Sequence, residues 1–424
     1  MQSGRIIIVG LDGVPFGLLR ELSDKGVMPN TKRIISNGIF RMMQSSIPEV
    51  SSVAWSSIIT GKNPGEHGIF GFTDLSSNSY RLRFPNFNDL QSEPFWNVIN
   101  GKSVIVNVPS TYPVKDMNGV HISGFVSIDL SKSVFPKSLI PILKEFDYRL
   151  DVDSTLAHQS MDLFLSDLEK TLHASIQTCH YLWDSFEWQI FMYVFTGTDR
   201  LMHFLWDAYE DRDHRCHFDF LTHFQTIDEV MGEILLRANE KDLFIILSDH
   251  GFEKLTHEIY INSLLRKEGF LNFENDKEPE LFNIGSKTKA FALDPARIYL
   301  NVKGKYPRGT IELRDKGKVL RDLEDLFLSL EINGRKVIKS IYRGEEIYSG
   351  PLFDKGPDMV LVGSSGFDLK GSTKTEKVID KRIFSGKHTQ DDAFLLVYGN
   401  REKINIPDYP MVCDIAPLLI AFTN

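Results

Sequence analysis

The sequence has 424 residues, of which 42% are hydrophobic and 25% are charged, a balance that is typical of folded globular proteins. This composition excludes a wholly disordered, collagen-like or coiled-coil chain. Asp and Glu number 57 against 48 Lys and Arg, a net charge of −9, and no long basic run offers a binding surface for a nucleic-acid polymer. The three cysteines are widely spaced without a CxxC pair, which favours a reducing compartment.

The apolar segments of the chain indicate a cytoplasmic protein. The run Ile6–Val9 is too short for the apolar part of an export signal. No apolar stretch approaches the roughly 20 residues that a membrane span requires. We therefore expect a cytoplasmic location and no membrane partner, while the oligomeric state is left open.

Short apolar runs alternate with helical segments along the first part of the chain. The runs are Arg5–Val9, Ser103–Val108, Gln189–Phe195 and Leu243–Leu247. A short apolar run bounded by turn residues is typical of a buried parallel strand. Between these runs, apolar residues recur at helical spacing over 161–186 and 217–238. The pattern predicts an α/β fold in which a mostly parallel sheet lies between helices.

After Phe252 the pattern changes. Residues 298–302 and 310–313 flank a segment with Gly and Pro, which predicts a hairpin, and leucines at helical spacing predict a helix over 319–330. Residues 358–362 and 393–397 again resemble buried strands, and we expect both to rejoin the sheet. The predicted domains are a first part of the core over 1–255, an inserted cap over 256–349 and a second part of the core over 350–424.

Acidic residues and a histidine directly follow two of the predicted strands, where open α/β sheets build their ligand sites. Asp12 lies in a Gly-Leu-Asp-Gly turn after the first run, and Asp249 and His250 follow the run that ends near Ser248. A bent loop allows a carboxylate and an adjacent imidazole to reach one metal ion. The structural alternatives are a tight turn for Asp12 and a helix cap with a surface histidine for the other pair.

A second group of candidate ligands lies further along the chain. Asp199 and His203 are four residues apart, so one face of a helix would present both side chains to a single ion. His388 lies on a predicted loop just before the last strand. Taken alone, the first two residues are better explained as a surface pair and His388 as a solvated histidine.

A candidate nucleophile lies at the start of a short predicted helix. Pro48 and the following serines mark the beginning of this helix and Gly61 marks its end. The free N–H groups of a helix N-terminus attract an anion such as phosphate. On this segment alone, the favoured interpretation is that Ser51 or Ser52 is only the N-cap.

Taken in chain order, these motifs resemble those of the alkaline phosphatase superfamily, and most closely its type I phosphodiesterase and nucleotide pyrophosphatase branch. The matching segments are Gly10–Gly13, Ser51–Ser57, Thr60–Ile69, Thr198–His203, Ser248–Gly251 and Gly386–His388. They span positions 10 to 388, so the resemblance covers nearly the whole chain. It implies an alkaline-phosphatase-like core and a site with two metal ions.

The resemblance also implies a role for each candidate residue. By this resemblance, one ion would be held by Asp12, Asp249 and His250 together with the nucleophile oxygen. The other ion would be held by Asp199, His203 and His388. Mixed carboxylate and imidazole ligands suit Zn²⁺, with Mn²⁺ or Co²⁺ as substitutes. Ser51, ten residues before Gly61, corresponds to the nucleophile.

The activity implied by the resemblance is hydrolysis of small-molecule phosphate esters, diesters in particular, through a covalent phosphoserine intermediate. Alternatives within the superfamily are a phosphomonoesterase, a phosphomutase and a phosphonate hydrolase. The sulfatase branch needs a modifiable Cys or Ser followed by Pro and Arg, which Ser51–Trp55 does not provide. An alternative of another class is an inactive, metal-stabilised binding protein, although all six ligands and the hydroxyl are present.

Several residues beside these motifs have simpler expected roles. We expect Arg200 and Lys387 to be solvated, although their positions also suit contacts with phosphate. We expect Trp55 to pack in the core or in a wall of the site, and His67 to make a structural hydrogen bond.

Overall fold

The computed structural model describes residues 4–274, 277–402 and 404–423. The chain divides into two compact units. The first unit contains residues 1–62, 86–253 and 383–424, and the second contains residues 63–85 and 254–382. Every candidate ligand and Ser51 belong to the first unit.

The strands within the described residues are numbered in chain order: β1 Ile6–Leu11, β2 Ile39–Met43, β3 Asp74–Leu75, β4 Leu82–Arg83, β5 Ser103–Val108, β6 Gly119–Ser123, β7 Val134–Phe135, β8 Ile190–Phe195, β9 Leu243–Leu247, β10 Gly251–Lys254, β11 His257–Tyr260, β12 Ala290–Leu293, β13 Arg297–Leu300, β14 Glu331–Ile332, β15 Arg335–Lys336, β16 Ile338–Arg343, β17 Met359–Gly363, β18 Phe367–Lys370, β19 Ile379–Asp380, β20 Gly386–Thr389 and β21 Ala393–Gly399.

The α-helices in the same residues are α1 Phe16–Asp24, α2 Pro29–Asn37, α3 Ser51–Thr60, α4 Pro64–His67, α5 Phe95–Val98, α6 Leu130–Ser133, α7 Ile140–Glu145, α8 Met161–Ser185, α9 Gly197–Glu210, α10 His217–Arg237, α11 Ile261–Lys267, α12 Lys316–Ser329, α13 Gly344–Ile347 and α14 Ile415–Thr423. Among the residues so described, no helix is both long and apolar enough to cross a bilayer.

An eight-stranded sheet forms the centre of the first unit, in the order β2-β21-β9-β1-β8-β5-β6-β7. The five strands from β9 to β6 pair in parallel, and β21 and β7 pair antiparallel with their neighbours at the two sides. The fold class predicted from the sequence is therefore confirmed. The four apolar runs that were predicted as parallel strands are β1, β5, β8 and β9.

The alternation of side chains along β1 explains how one strand supports two cores. Ile7 and Val9 belong to an apolar cluster that includes residues of α1, α8, α9 and α10. Ile6 and Ile8 point to the opposite face and belong to a cluster with residues of α3 and α14. Because side chains on both faces of β1 are buried, its sequence is a continuous apolar run and does not alternate between apolar and polar residues.

The second unit contains a separate four-stranded antiparallel sheet, in the order β12-β13-β17-β16. The expectation that residues 358–362 rejoin the main sheet is wrong, because Met359 and Val360 pair with Ile298 and Arg297 of β13. The predicted hairpin is also wrong. Strand β13 has β12 and β17 as its neighbours, and residues 310–313 contribute only an isolated bridge between Ile311 and Val302.

The inserted segment differs in extent from the cap predicted over 256–349. Contacts within the chain group 63–85 and 350–382 with 254–349 in the second unit. The chain returns to the first unit at residue 383, just before β20, and β21 pairs with β9 as predicted. The predicted helix over 319–330 corresponds to α12.

Candidate functional site

The candidate site lies at the carboxyl edge of the main sheet. Strands β9, β1 and β8 are adjacent and parallel, so the residues that follow them emerge side by side. These residues are Asp249 and His250 after β9, Asp12 after β1, and Asp199 in the first turn of α9 after β8. His388 lies on β20, which pairs with β10, so the expectation of a loop histidine is wrong. All six candidate ligands are buried or half-buried.

The three histidines are oriented in the same way by backbone carbonyl groups. The Nδ1 atom of His203 lies 3.2 Å from the carbonyl oxygen of Gly386. The Nδ1 atom of His250 lies 3.0 Å from the carbonyl oxygen of Gly251, and that of His388 lies 3.1 Å from the carbonyl oxygen of Glu49. A carbonyl oxygen only accepts hydrogen bonds, so each Nδ1 carries a proton and donates it. Each Nε2 is then available as a ligand atom, an arrangement typical of metal-binding histidines.

The first group of ligand atoms consists of Asp199, His203 and His388. The two Nε2 atoms lie 3.0 Å apart, and Oδ1 of Asp199 lies 3.0 Å from Nε2 of His388 and 3.4 Å from that of His203. With Nδ1 protonated on both rings, three electron-pair donors face one another at contact distance. Such a group requires positive charge between its members, which a proton or a metal cation supplies.

The second group lies around Asp12, Asp249 and His250. Oδ2 of Asp249 lies 3.3 Å from Nε2 of His250, is buried, and has no hydrogen-bond donor among the described residues. Oδ1 of Asp12 lies 3.8 Å from the same Nε2. Since buried carboxylate oxygens are rarely left without a partner, the missing donor is consistent with a cation ligand.

The two groups adjoin one another. The rings of His250 and His388 stack with their centroids 3.8 Å apart. Asp199 lies close to both groups. Its carboxylate is within 4.8 Å of ligand atoms of Asp12 and His250, and also within 4.8 Å of ligand atoms of His203 and His388. The predicted grouping paired Asp249, and not Asp199, with Asp12 and His250.

The hydroxyl of Ser51 lies beside the second group. Its Oγ is 3.1 Å from Nε2 of His250 and 3.4 Å from Oδ1 of Asp12. The N-cap of α3 is Val50, and Ser51 is the first helical residue and makes no side-chain cap. The interpretation of Ser51 or Ser52 as the N-cap is therefore wrong, and the Ser51 hydroxyl points towards the ligand atoms.

Burial and like charges determine the electrostatics of the site. Burial raises the pKa of Asp12, and the nearby carboxylates Asp249 and Asp199 raise this pKa further. Burial likewise raises the pKa of Asp249 to about 7 and lowers that of His250. Burial opposes ionisation of His388, but its hydrogen bond with Asp199 raises its pKa nevertheless. Burial therefore favours the neutral forms of Asp12, Asp249 and His250, whereas the carboxylate of Asp199 favours the charged form of His388.

Trp55 and two glycines of the first motif fix the positions of Asp12 and Asp249. Its Oδ2 accepts a hydrogen bond of 3.0 Å from Nε1 of Trp55. A β-carbon at Gly10 would lie 2.5 Å from the Trp55 ring, so the strand can pass the indole only with glycine there. Gly13 has φ of 73°, and its N–H donates to Oδ1 of Asp249 at 3.1 Å.

The two basic residues expected to be solvated are both engaged inside the first unit. The guanidinium of Arg200 donates to both carboxylate oxygens of Asp151, at 2.8 and 3.3 Å, and to Oδ2 of Asp199 at 3.1 Å. The ammonium of Lys387 is buried and lies 3.0 Å from Oε1 of Glu253. Nothing in the local sequence around Arg200 indicates Asp151, which lies 49 positions earlier.

The two simpler expectations for neighbouring residues are confirmed. Trp55 is fully buried in the core cluster that includes residues of α3 and α14, and its hydrogen bond to Asp12 was not foreseen. His67 is buried in the second unit, and its Nδ1 accepts a structural hydrogen bond from the N–H of Ile69 at 3.1 Å.

Comparison with known proteins decides the family. The family model for type I phosphodiesterase / nucleotide pyrophosphatase matches residues 6–391. The chain belongs to this family. The family indicates a phosphoric ester hydrolase of the alkaline phosphatase superfamily, which is generally metal-dependent. No curated protein sequence is significantly similar to the chain.

Solved structures show the same fold at low sequence identity. Phosphonoacetate hydrolase from Sinorhizobium meliloti 1021, in complex with phosphonoformate, superposes with a TM-score of 0.65 at 15% identity, covering 100% of this chain and 96% of the hydrolase. The alkaline phosphatase PafA gives 0.63 at 12% identity, with coverage of 100% and 96%. Murine ectonucleotide pyrophosphatase / phosphodiesterase 5 gives 0.56 at 14%, with coverage of 99% and 95%.

The hydrogen bond from Trp55 to Asp12 provides a test of the candidate metal site that does not depend on activity. We predict that Trp55→Phe, which keeps most of the packing but removes the donor, weakens Zn²⁺ binding about 10- to 100-fold. The affinity is measured by competition with a chromophoric zinc chelator. Trp96→Phe is the matched control, because this buried indole contacts Phe95 and His121 and not a candidate ligand. Equal Zn²⁺ affinities in the two variants would contradict the role of Trp55.

Proposed function

We propose that the protein hydrolyses small-molecule phosphate esters, diesters in preference, by attack of the Ser51 hydroxyl on phosphorus. The observation that carries this proposal is the position of Ser51 Oγ, at the start of a helix and 3.1 Å from a histidine Nε2 within a ring of buried ligand atoms. A hydroxyl that served only to cap the helix would turn back to the backbone of α3 instead.

The donor set fits two divalent cations. One would be held by Asp12, Asp249 and His250 with the Ser51 oxygen, and the other by a set from α9 and β20, Asp199, His203 and His388. Carboxylate and imidazole ligands without thiolate favour Zn²⁺, with Mn²⁺ or Co²⁺ as substitutes. When bound, such cations stabilise negative charge on the attacking, leaving and non-bridging oxygens of the phosphoryl group.

The residues of the chain would carry the reaction in two displacements. The Ser51 Oγ would form a bond to phosphorus as the bond to one ester oxygen breaks. In the overall step, the departing oxygen takes up the proton of the Ser51 hydroxyl and leaves as an alcohol or phenol. Water then attacks the phosphorus of the resulting serine-linked phosphodiester, which restores the Ser51 hydroxyl and releases a phosphate monoester. The N-terminal end of α3, which begins at Ser51, carries the positive end of the helix dipole and would stabilise the oxygens of the phosphoryl group.

The charges around the site support a diester over a monoester. A monoester dianion calls for an extra cationic side chain, whereas a diester carries a single negative charge. In the first unit Arg200 is held by Asp151 and Asp199, and Lys387 by Glu253. Because both nearby cations are neutralised by carboxylates, neither is available to balance a second phosphate charge.

The Ser51 hydroxyl is tested by two alanine variants at neighbouring positions. We predict that Ser51→Ala lowers kcat for an aryl phosphodiester at least about 10³-fold, because no nucleophile remains. Ser52→Ala is the matched control: its Oγ is buried and lacks a hydrogen-bond partner within the described residues, so its removal should leave turnover near the wild-type value. Retained turnover in Ser51→Ala, or loss only in Ser52→Ala, would contradict the assignment.

Removal of metal tests the proposed cofactor. We predict that dialysis against a chelator abolishes diester hydrolysis and that Zn²⁺ or Mn²⁺ restores it, because ligand atoms without a cation no longer stabilise the phosphoryl charge. Turnover is followed spectrophotometrically, and circular dichroism of the chelated protein establishes that the fold is kept. Full activity at saturating chelator would contradict the two-metal proposal.

A panel of substrates on the reloaded enzyme separates the remaining alternatives. Preference for phosphate monoesters, for phosphonates or for intramolecular phosphoryl transfer would indicate a phosphomonoesterase, phosphonate hydrolase or phosphomutase respectively. A metal-loaded protein that hydrolyses no substrate would indicate the inactive binding protein. The cytoplasmic location and the absence of nucleic-acid polymers and membranes as partners remain predictions.

A further inference from the structure

We propose that the loop Gly124–Asp129, which we term the apolar loop, binds the non-leaving ester group of the substrate and selects diesters in which that group is apolar. The inference rests on the proposed function and specifies its substrate class. The residues that would make the contact are Val126 and Ile128. Neither belongs to the metal ligands or to the nucleophile.

The apolar loop lies at the same edge of the main sheet as the ligand atoms. It follows β6, which is parallel to β5, and β5 in turn is parallel to β8. Strand β8 leads into the helix that presents Asp199. At about 4.8 Å per strand, the end of β6 lies roughly 10 Å from the end of β8, a distance that one ester substituent can span.

Arg200 connects the apolar loop to the candidate ligand Asp199. The ring of Phe125 lies 4.5 Å from the guanidinium carbon of Arg200, and Arg200 donates to Asp199 at 3.1 Å. The ring therefore covers a guanidinium face next to the metal site. An apolar group would meet hydrocarbon here and not a free charge.

The loop is held in place by the end of β5. The N–H of Gly124 donates to the carbonyl of Val108 at 3.0 Å, and the N–H of Ser110 donates to the carbonyl of Phe125 at 2.9 Å. A β-carbon at Gly124 would lie 2.3 Å from the carbonyl oxygen of Asn107, so only glycine allows this approach. A loop fixed in this way binds a ligand without a large cost of ordering.

The apolar loop exposes apolar side chains that the fold leaves uncovered. Val126 is 49% exposed and Ile128 is 84% exposed, whereas Phe125 between the loop and Arg200 is buried. Apolar residues presented together on a fixed loop beside a catalytic site are typical of a binding surface. With Arg200 and Lys387 already paired, the occupant that matches this surface is the uncharged, apolar arm of a diester monoanion.

The test compares two diesters that share a leaving group. Bis(4-nitrophenyl) phosphate and methyl 4-nitrophenyl phosphate both release 4-nitrophenolate, but the non-leaving group is aryl in the first and methyl in the second. We expect the Val126→Ser, Ile128→Ser double variant to lower kcat/KM for the bis-aryl diester about five- to tenfold and to leave kcat/KM for the methyl diester within about twofold.

The matched control is Leu236→Ser. Leu236 is 85% exposed in the last turn of α10, just before β9 begins, and so lies at the amino edge of the sheet. This variant makes the same kind of exposed apolar-to-serine change away from the site. We expect it to leave the ratio of the two kcat/KM values unchanged.

Three results would overturn the inference. The first is an unchanged ratio in the double variant while the wild type turns over both diesters, and the second is an equal loss for both diesters, which would assign the loop a structural role. The third is a change in sedimentation behaviour without a change in the ratio, which would make the loop a contact between copies of the chain. A wild type that hydrolyses neither diester would instead overturn the proposed function, and this inference with it.

Discussion

The organisation of this protein depends on one electrostatic constraint, the meeting of buried electron-pair donors at the carboxyl edge of a parallel sheet. Three imidazole nitrogens and three carboxylates converge there, with Nε2 atoms as close as 3.0 Å and a buried carboxylate oxygen that lacks a donor. Without positive charge this arrangement is unfavourable, because like partial charges are buried in a medium of low dielectric constant. Cation binding would therefore stabilise both the site and the fold around it.

The surrounding scaffold explains how these buried, mutually repelling ligand atoms are kept in place. Parallel neighbours β9, β1 and β8 bring their following residues together, and backbone carbonyls orient each imidazole ring through Nδ1. The indole of Trp55 and the N–H of Gly13 hold one oxygen of Asp12 and one of Asp249, respectively. In each case the remaining oxygen is directed to the site, so the scaffold orients the side chains that we propose as cation ligands.

Much of this could be predicted from the sequence because the signals are local. Buried parallel strands appear as continuous apolar runs, and four of the six ligands follow those runs within a few residues, so the family motifs specify both. These four are Asp12, Asp199, Asp249 and His250. Longer-range choices could not be predicted. An apolar run such as Met359–Gly363 does not say which sheet it joins, and the partners of Arg200 and of Trp55 lie 49 and 43 positions away in the sequence. The orientation of Ser51 depended on whether the N-cap was Val50 or Ser51 itself, a difference of one residue that is smaller than any sequence pattern resolves.

The most direct measurement of the central claim is anomalous diffraction at the zinc edge from crystals of the Zn²⁺-loaded protein. The account predicts two anomalous peaks in each chain, one among Asp199, His203 and His388 and one among Asp12, Asp249 and His250, with Ser51 Oγ in contact with the second. A single peak, no peak at these residues, or a Ser51 side chain turned away from both positions would contradict it.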